Sequence, residues 1–185
     1  MGGTTDTYVK FTSPTTIGDT AYNVREYATP SSLLLGNFAQ PKDFNAISHS
    51  KGGISLDGDV QTNQIIYYNQ VNPSATIDLY TDGASERIRL SAGRIIGFEI
   101  QLVAGQEITG YASFRLYQGA IKHNGTNAVI VGAVTETTVA EDVQLVQTKI
   151  AASGNDLSIQ VKELTGTNRV KVTAYVRYTE TKISL

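Results

Sequence analysis

The feature that most constrains this chain is a strict alternation near its end, over residues 154–179. Leu157, Ile159 and Val161 fall on one face of an extended chain, and Ser158, Gln160 and Lys162 on the other. After Thr165-Gly166-Thr167-Asn168 the alternation restarts, with Val170, Val172, Ala174 and Val176 set against Arg169, Lys171, Thr173, Tyr175 and Arg177. A period of two marks strands with one buried and one wet face. The Gly and Asn between the two runs supply the positive φ of a turn, so the two are expected to pair as one long antiparallel hairpin. This is a sheet-forming sequence.

Upstream the same signal recurs. Ile65 to Tyr68 is a short apolar run, closed by Pro73. Ala75, Ile77 and Leu79 alternate with polar residues, and Ile88 and Leu90 alternate with Arg87 and Arg89. Ile96, Phe98, Ile100 and Leu102 follow, ending at Gly105. Residues 111–121 form the longest expected strand, with Phe114 and Leu116 inward and Tyr111, Arg115 and Tyr117 outward. Gly119 inside that run signals a bulge or a close backbone approach. Asn124-Gly125 is a hairpin turn. Residues 128–132, 135–139 and 143–150 add strands, the last losing phase near Leu145-Val146. Roughly nine or ten short strands with Gly, Asn and Pro punctuation and no helix predict an all-β antiparallel fold over residues 63–185, a jelly-roll-like β-sandwich or a closed barrel. The expected core is Ile77, Leu79, Ile88, Leu90, Phe98, Ile100, Phe114, Leu116, Ile159, Val161, Val170 and Val172.

Residues 1–62 read differently. They are rich in Gly, Thr and Ser and hold Pro14, Pro30 and Pro41. Short strands are expected near Tyr8 to Phe11 and across residues 21–27, and one helical turn at Leu33-Leu34-Leu35. The segment reads as an extended arm. Its separated apolar groups, Tyr8 with Phe11, Leu33, Leu34 and Leu35, then Phe38 and Phe44, are its candidate anchors on a partner.

Chemistry is sparse. With Cys 0 and net charge -2, the chain offers no thiol and no basic field for nucleic acid or an anionic membrane. It lacks an apolar run long enough to span a bilayer and a leader-like start, so it reads as made in a cytoplasm, with no membrane insertion. His123 beside Asn124-Gly125 reads as a solvated turn residue, and His49 sits in a polar stretch without a triad-like acid. Asp57 and Asp59 put two carboxylates two residues apart, a source of oxygen ligands for Ca²⁺, but the remaining ligands of a calcium loop are lacking and the stretch reads as a plain turn. Glu136, Glu141 and Asp142 are candidates for a carboxylate pair, which glycoside hydrolysis would need on one cleft. Turn acids of this kind are usually solvated, and no catalytic, metal or cofactor site is expected.

Several stretches in order resemble a known family: Ile88-Arg89-Leu90, then residues 96–103, Gly119-Ala120-Ile121-Lys122-His123-Asn124-Gly125, Val131-Gly132-Ala133-Val134-Thr135, Ala140-Glu141-Asp142, residues 154–161 and residues 169–178. Together they resemble the C-terminal β-domain of tailed-bacteriophage virion proteins, over roughly residues 58–180. Gly58-Asp59-Val60-Gln61-Thr62 resembles the junction that precedes that domain. The family pattern carries tryptophans in an early core strand and the last strand, whereas this chain has Trp 0, with Gly97 and Thr173 or Tyr175 near those places. The resemblance implies a β-sandwich on the outside of a virion, often a homotrimer. Two functions follow as expectations. One is a capsid decoration or cement protein whose arm grips the major capsid protein. The alternative is a tail-fibre or baseplate tip that recognises the host surface; the strand face with Tyr111, Arg115 and Tyr117 would suit host carbohydrate or a subunit interface, more often the latter. The absence of shaft-like heptads or β-repeats ahead of the domain favours decoration.

Overall fold

The computed structural model describes residues 24–25, 33–35, 46–49 and 60–183. Eleven strands are present among them: β1 (Val24–Arg25), β2 (Leu33–Leu35), β3 (Ile47–His49), β4 (Val60–Val71), β5 (Thr76–Asp78), β6 (Arg94–Gln106), β7 (Ala112–His123), β8 (Ala128–Glu141), β9 (Val146–Ser153), β10 (Asp156–Glu163) and β11 (Val170–Lys182). They form an eight-stranded sheet, β1-β2-β3-β4-β11-β6-β7-β8, and a three-stranded sheet, β5-β10-β9. Every pairing is antiparallel except β2 with β3. The chain is an all-β sandwich, the first of the two architectures that its alternation predicts.

The outer pairs nest as in a jelly roll: β4 lies on β11 in one sheet and β5 on β10 in the other. The inner strands depart from that plan, because β6, β7 and β8 run on as a meander within the large sheet. The expected terminal hairpin does not form. β10 pairs with β5 and β9, and β11 with β4 and β6, so the two runs lie in opposite sheets. Their apolar faces, Leu157, Ile159 and Val161 against Val170, Val172, Ala174 and Val176, are all buried in the shared core. Alternation gives each strand its face, but it is equally satisfied by a neighbour in the same sheet or one across the core. The expected helical turn at Leu33–Leu35 is likewise a strand, in ladder with β1 and β3. Residues 88–90 supply only the bridge Arg89↔Asp156 rather than a strand. The two strands expected within 128–139 are one, β8, kinked by register shifts opposite Phe114/Arg115 and Gln118/Ala120.

Of the expected core, Leu79, Ile88, Leu90, Phe98, Ile100, Ile159, Val161, Val170 and Val172 are buried, and Ile77 packs at its margin. Strand β7 is reversed. Ser113, Arg115, Tyr117 and Ile121 are buried on the inner side, while Phe114 and Leu116 stand half-buried on the outer face. Tyr117 is 2% exposed, in the core. The reason lies with the neighbours. The inner positions at this end of β7 are polar because they build an ion cluster with β8. The outer positions are apolar because they continue a band across the sheet. Hence Tyr117→Ala is expected to cost about 3 kcal/mol, and Phe114→Ala about 1 kcal/mol, in line with partial burial. Urea unfolding of the two variants distinguishes this phase from its reverse.

Gly119 is a close approach. A Cβ there would come within 2.8 Å of the Phe98 ring and 3.1 Å of Val134. The neighbouring register shift between Gln118 and Ala120 accompanies it.

Candidate functional site

Strand direction sorts the connections into two ends. At one end, here the base, lie Val60 at the start of β4, Ile183 beyond β11, the 79–93 connection, and the turns at 124–127 and 154–155. At the other, the apex, lie residues 72–75, 107–111, 142–145 and 164–169. Three of these four link one sheet to the other, and the fourth closes the hairpin of the long strands β6 and β7. The described strands that precede β4 lie along its basal half, β3 pairing with residues 62–64.

The apical loops are braced on one another. Glu163, buried at the end of β10, accepts hydrogen bonds from the backbone N–H of Ser74 at 2.7 Å, Thr165 at 2.6 Å and Gly166 at 2.9 Å, and from the Thr165 hydroxyl. Burial alone would push its carboxyl up, but these donors outweigh it and hold it below the ordinary value. The Gln106 amide donates to Thr165 Oγ1 at 2.6 Å, and its carbonyl accepts from Thr109 Oγ1 at 2.6 Å. The Glu107 N–H donates to the Arg169 carbonyl at 2.9 Å and the Leu164 N–H to the Leu145 carbonyl at 3.0 Å. Asp142 Oδ2 accepts from the Ala112 N–H at 3.0 Å. Four loops thus behave as one cross-braced surface.

That surface carries apolar side chains in water: Ile108, Tyr111, Val143 and Leu164. Ile108 is 93% exposed. It also has φ of 77°, and the Thr109 N–H donates to the Glu107 carbonyl at 3.0 Å across it. Positive φ with an i to i+2 bond is the rare, strained form of γ-turn. A β-branched residue held there costs about 1–3 kcal/mol. The two non-glycine residues with positive φ among those described, Ser74 and Ile108, are both apical.

A second surface is the outer face of the large sheet. The register aligns Tyr68, Thr173, Val103, Phe114 and Ala140 in one row and Ile66, Tyr175, Gln101, Leu116 and Thr137 in the next. Neither row holds a charge, and Ile66, Tyr68 and Val103 are exposed. Beside them Gly97, Glu99, Gln118, Arg177 and Thr179 line a shallow dent of about 280 Å³.

The expected site residues separate. Tyr111 is exposed at the apex, but Arg115 and Tyr117 point into the protein and are no outward face. Arg115 donates to Glu136 at 2.5 Å and Glu141 at 2.7 Å, and the Tyr117 hydroxyl donates to Glu136 at 3.3 Å. Burial works against the Arg115 charge, but the hydrogen bonds to Glu141 and Glu136 outweigh it. Burial would raise the Glu141 carboxyl, yet Arg115 and Ser113 hold it below the ordinary value. Of the three carboxylates considered for glycoside hydrolysis, Glu136 and Glu141 do meet, but across an arginine, while Asp142 holds the Ala112 N–H. A glycosidase acid needs the opposite shift, a raised pKa. His123 is buried, not solvated. Its Nδ1 accepts from the Gly125 N–H at 3.1 Å, and its Nε2 lies 3.2 Å from Asn155 Oδ1, tying the two base turns together. Among the described residues, no group of three or more His, Cys, Asp or Glu side chains is placed to hold a metal ion. Tyr8, Phe11, Phe38, Phe44, Asp57 and Asp59 lie outside the described residues, and Leu33–Leu35 is described only as a strand.

No family model matches the chain, and no curated protein matches it. Among solved structures it is distantly similar to a tailspike protein from Acinetobacter baumannii bacteriophage Fri1, a capsular polysaccharide depolymerase. The TM-score is 0.40 at 14% identity, over 72% of this chain and 20% of that one. The chain thus spans about a fifth of that structure.

Proposed function

We propose that the chain is a non-enzymatic structural protein of a bacteriophage virion, a tail-appended module that presents its apex to the host surface. One observation carries this reading. Strands β1–β3 lie at the basal half of β4, and the opposite end is a braced set of four loops with apolar side chains in solvent. Rigid scaffolds with exposed loops at one end are a common design for recognition. The ordered likeness of residues 58–180 to phage virion β-domains supplies the setting. The competing reading, a head decoration protein gripping the major capsid protein, draws on the arm, most of which lies outside the described residues.

The charge-free band of the large sheet is the proposed face for further copies of the chain, in the trimer that the resemblance implies. Native mass measurement of the purified protein tests that assembly, and a monomer at tens of micromolar would sink it.

The functional test is co-sedimentation of the labelled full-length protein with cells of the phage's host and, separately, with undecorated heads. Saturable binding to cells is expected. Saturation of heads with bare cells would replace this reading by decoration.

A further inference from the structure

We infer that Ile108 is a contact residue, an aliphatic knob that the apex inserts into an apolar pocket on a protein partner. This rests on the reading of the apex as the outward-facing end. Three observations converge on it. An isoleucine 93% exposed gains nothing from burial in its own fold. Its φ of 77° is one that glycine would adopt freely, so the local conformation argues against the residue that occupies it. The loop around it is held on both flanks, by Gln106 through Thr165 and Thr109 and by Glu107 through Arg169. A strained, apolar and fixed side chain in water has its rationale in what it meets, since a preorganised anchor loses little entropy on docking.

The chemistry of the surroundings selects a protein pocket. Glu107 and Asp142 stand among Arg169, Lys171 and Lys162 at the apical ends of the strands, and Lys171 pairs with Glu107 at 3.3 Å, so the rim is mixed in sign. That leaves no cationic rim to draw an anionic lipid surface. Sugars are held by planar polar groups and aromatic faces, whereas Ile108 and its apical neighbours Val143 and Leu164 are aliphatic and Tyr111 is the single exposed aromatic among the described apical residues.

The test uses three full-length variants, Ile108→Gly, Ile108→Asn and Ile108→Val. Gly and Asn accept positive φ and remove the knob, while Val keeps a branched apolar tip. The probes are host cells with and without surface protease treatment, undecorated heads, and vesicles of phosphatidylcholine with phosphatidylglycerol. Wild type should bind intact cells and lose them after protease treatment. Ile108→Gly and Ile108→Asn should melt at or above the wild-type temperature yet bind at least tenfold more weakly. Ile108→Val should stay within a few-fold of wild type. Binding of heads instead of cells, with the same dependence on residue 108, keeps the knob and removes the host-facing reading. The inference is overturned by unchanged binding in the Gly and Asn variants, or by a loss that comes with a lowered melting temperature. It is equally overturned by binding that survives protease treatment, by binding to the vesicles, or by a wild type that binds no surface.

Discussion

Replacing Arg94 by Met is expected to lower the unfolding free energy by about 3–5 kcal/mol, and replacing Glu180 by Leu by a similar amount. The two side chains form an ion pair between β6 and β11, with only 3% and 1% of their side-chain surfaces exposed. Arg94 also donates to the Arg89 carbonyl and, at 3.3 Å, to the Tyr178 hydroxyl. Its guanidinium lies 5.7 Å from the Tyr178 ring. Either single change takes this partner away from a charge that stays buried, and the desolvation it no longer offsets is the main cost. The Arg94→Met/Glu180→Leu double variant removes both charges and keeps apolar volume. It should therefore be less destabilised than either single one. A double-mutant cycle by chemical denaturation reads the coupling directly. Additive losses would show that the pair is solvated and the structural role of Arg94 is misassigned.

Nothing in the sequence pointed to that pair, and the reason is general. Arg94 and Glu180 stand 86 residues apart, and each looks like an ordinary charge on a strand. Period-two reading finds faces because a strand's own geometry imposes them. It cannot tell which charges are swallowed, since that depends on a strand arriving from elsewhere. Leu79, Ile88 and Phe98 were legible as core for the first reason. β7 was misphased for the second, because Ser113 and Arg115 face inward to meet Glu141 and Glu136 on β8. The terminal pair β10 and β11 shows the same limit at the level of topology. Their alternation was clear, but whether they share a sheet is set by the 164–169 loop, which is pinned to the β4–β5 connection through Glu163.

The apex was partly legible. Gly166 marks the turn between the last two apolar runs, and it has a positive φ of 72°. Ile108 carries no such mark, since nothing in an Ile between Glu107 and Thr109 announces a γ-turn. It stands out only because the structure sets a bulky side chain where local energetics would choose another. Tyr111 was expected outward and is, but as part of a loop surface rather than a strand face.

The second large effect concerns the residue that holds this apex together. Glu163→Ala is expected to cost about 3–5 kcal/mol, because it strands backbone donors at Ser74, Thr165 and Gly166 that a single carboxylate now satisfies. For a chain of this length that is a fall in Tm of roughly 10 °C. The same carboxylate makes stability depend on pH, with a definite sign. Its folded pKa lies below the ordinary value of 4.5, the hydrogen bonds outweighing burial. The stabilisation is therefore complete above the unfolded value and is lost as pH falls through the folded one. Glu141, also held low, acts in the same direction. Wild type should lose stability between about pH 5 and pH 3, and Glu163→Ala should lose measurably less over that window. Urea unfolding of both proteins at the two pH values gives the comparison, and parallel losses would mean that Glu163 is not the acid-sensitive clamp. Function should follow stability at this residue but not at Ile108. Loosening the four loops removes the fixed platform, so Glu163→Ala should weaken both fold and surface binding, whereas Ile108→Gly should weaken binding alone. That contrast separates a residue that builds the apex from one that the apex presents.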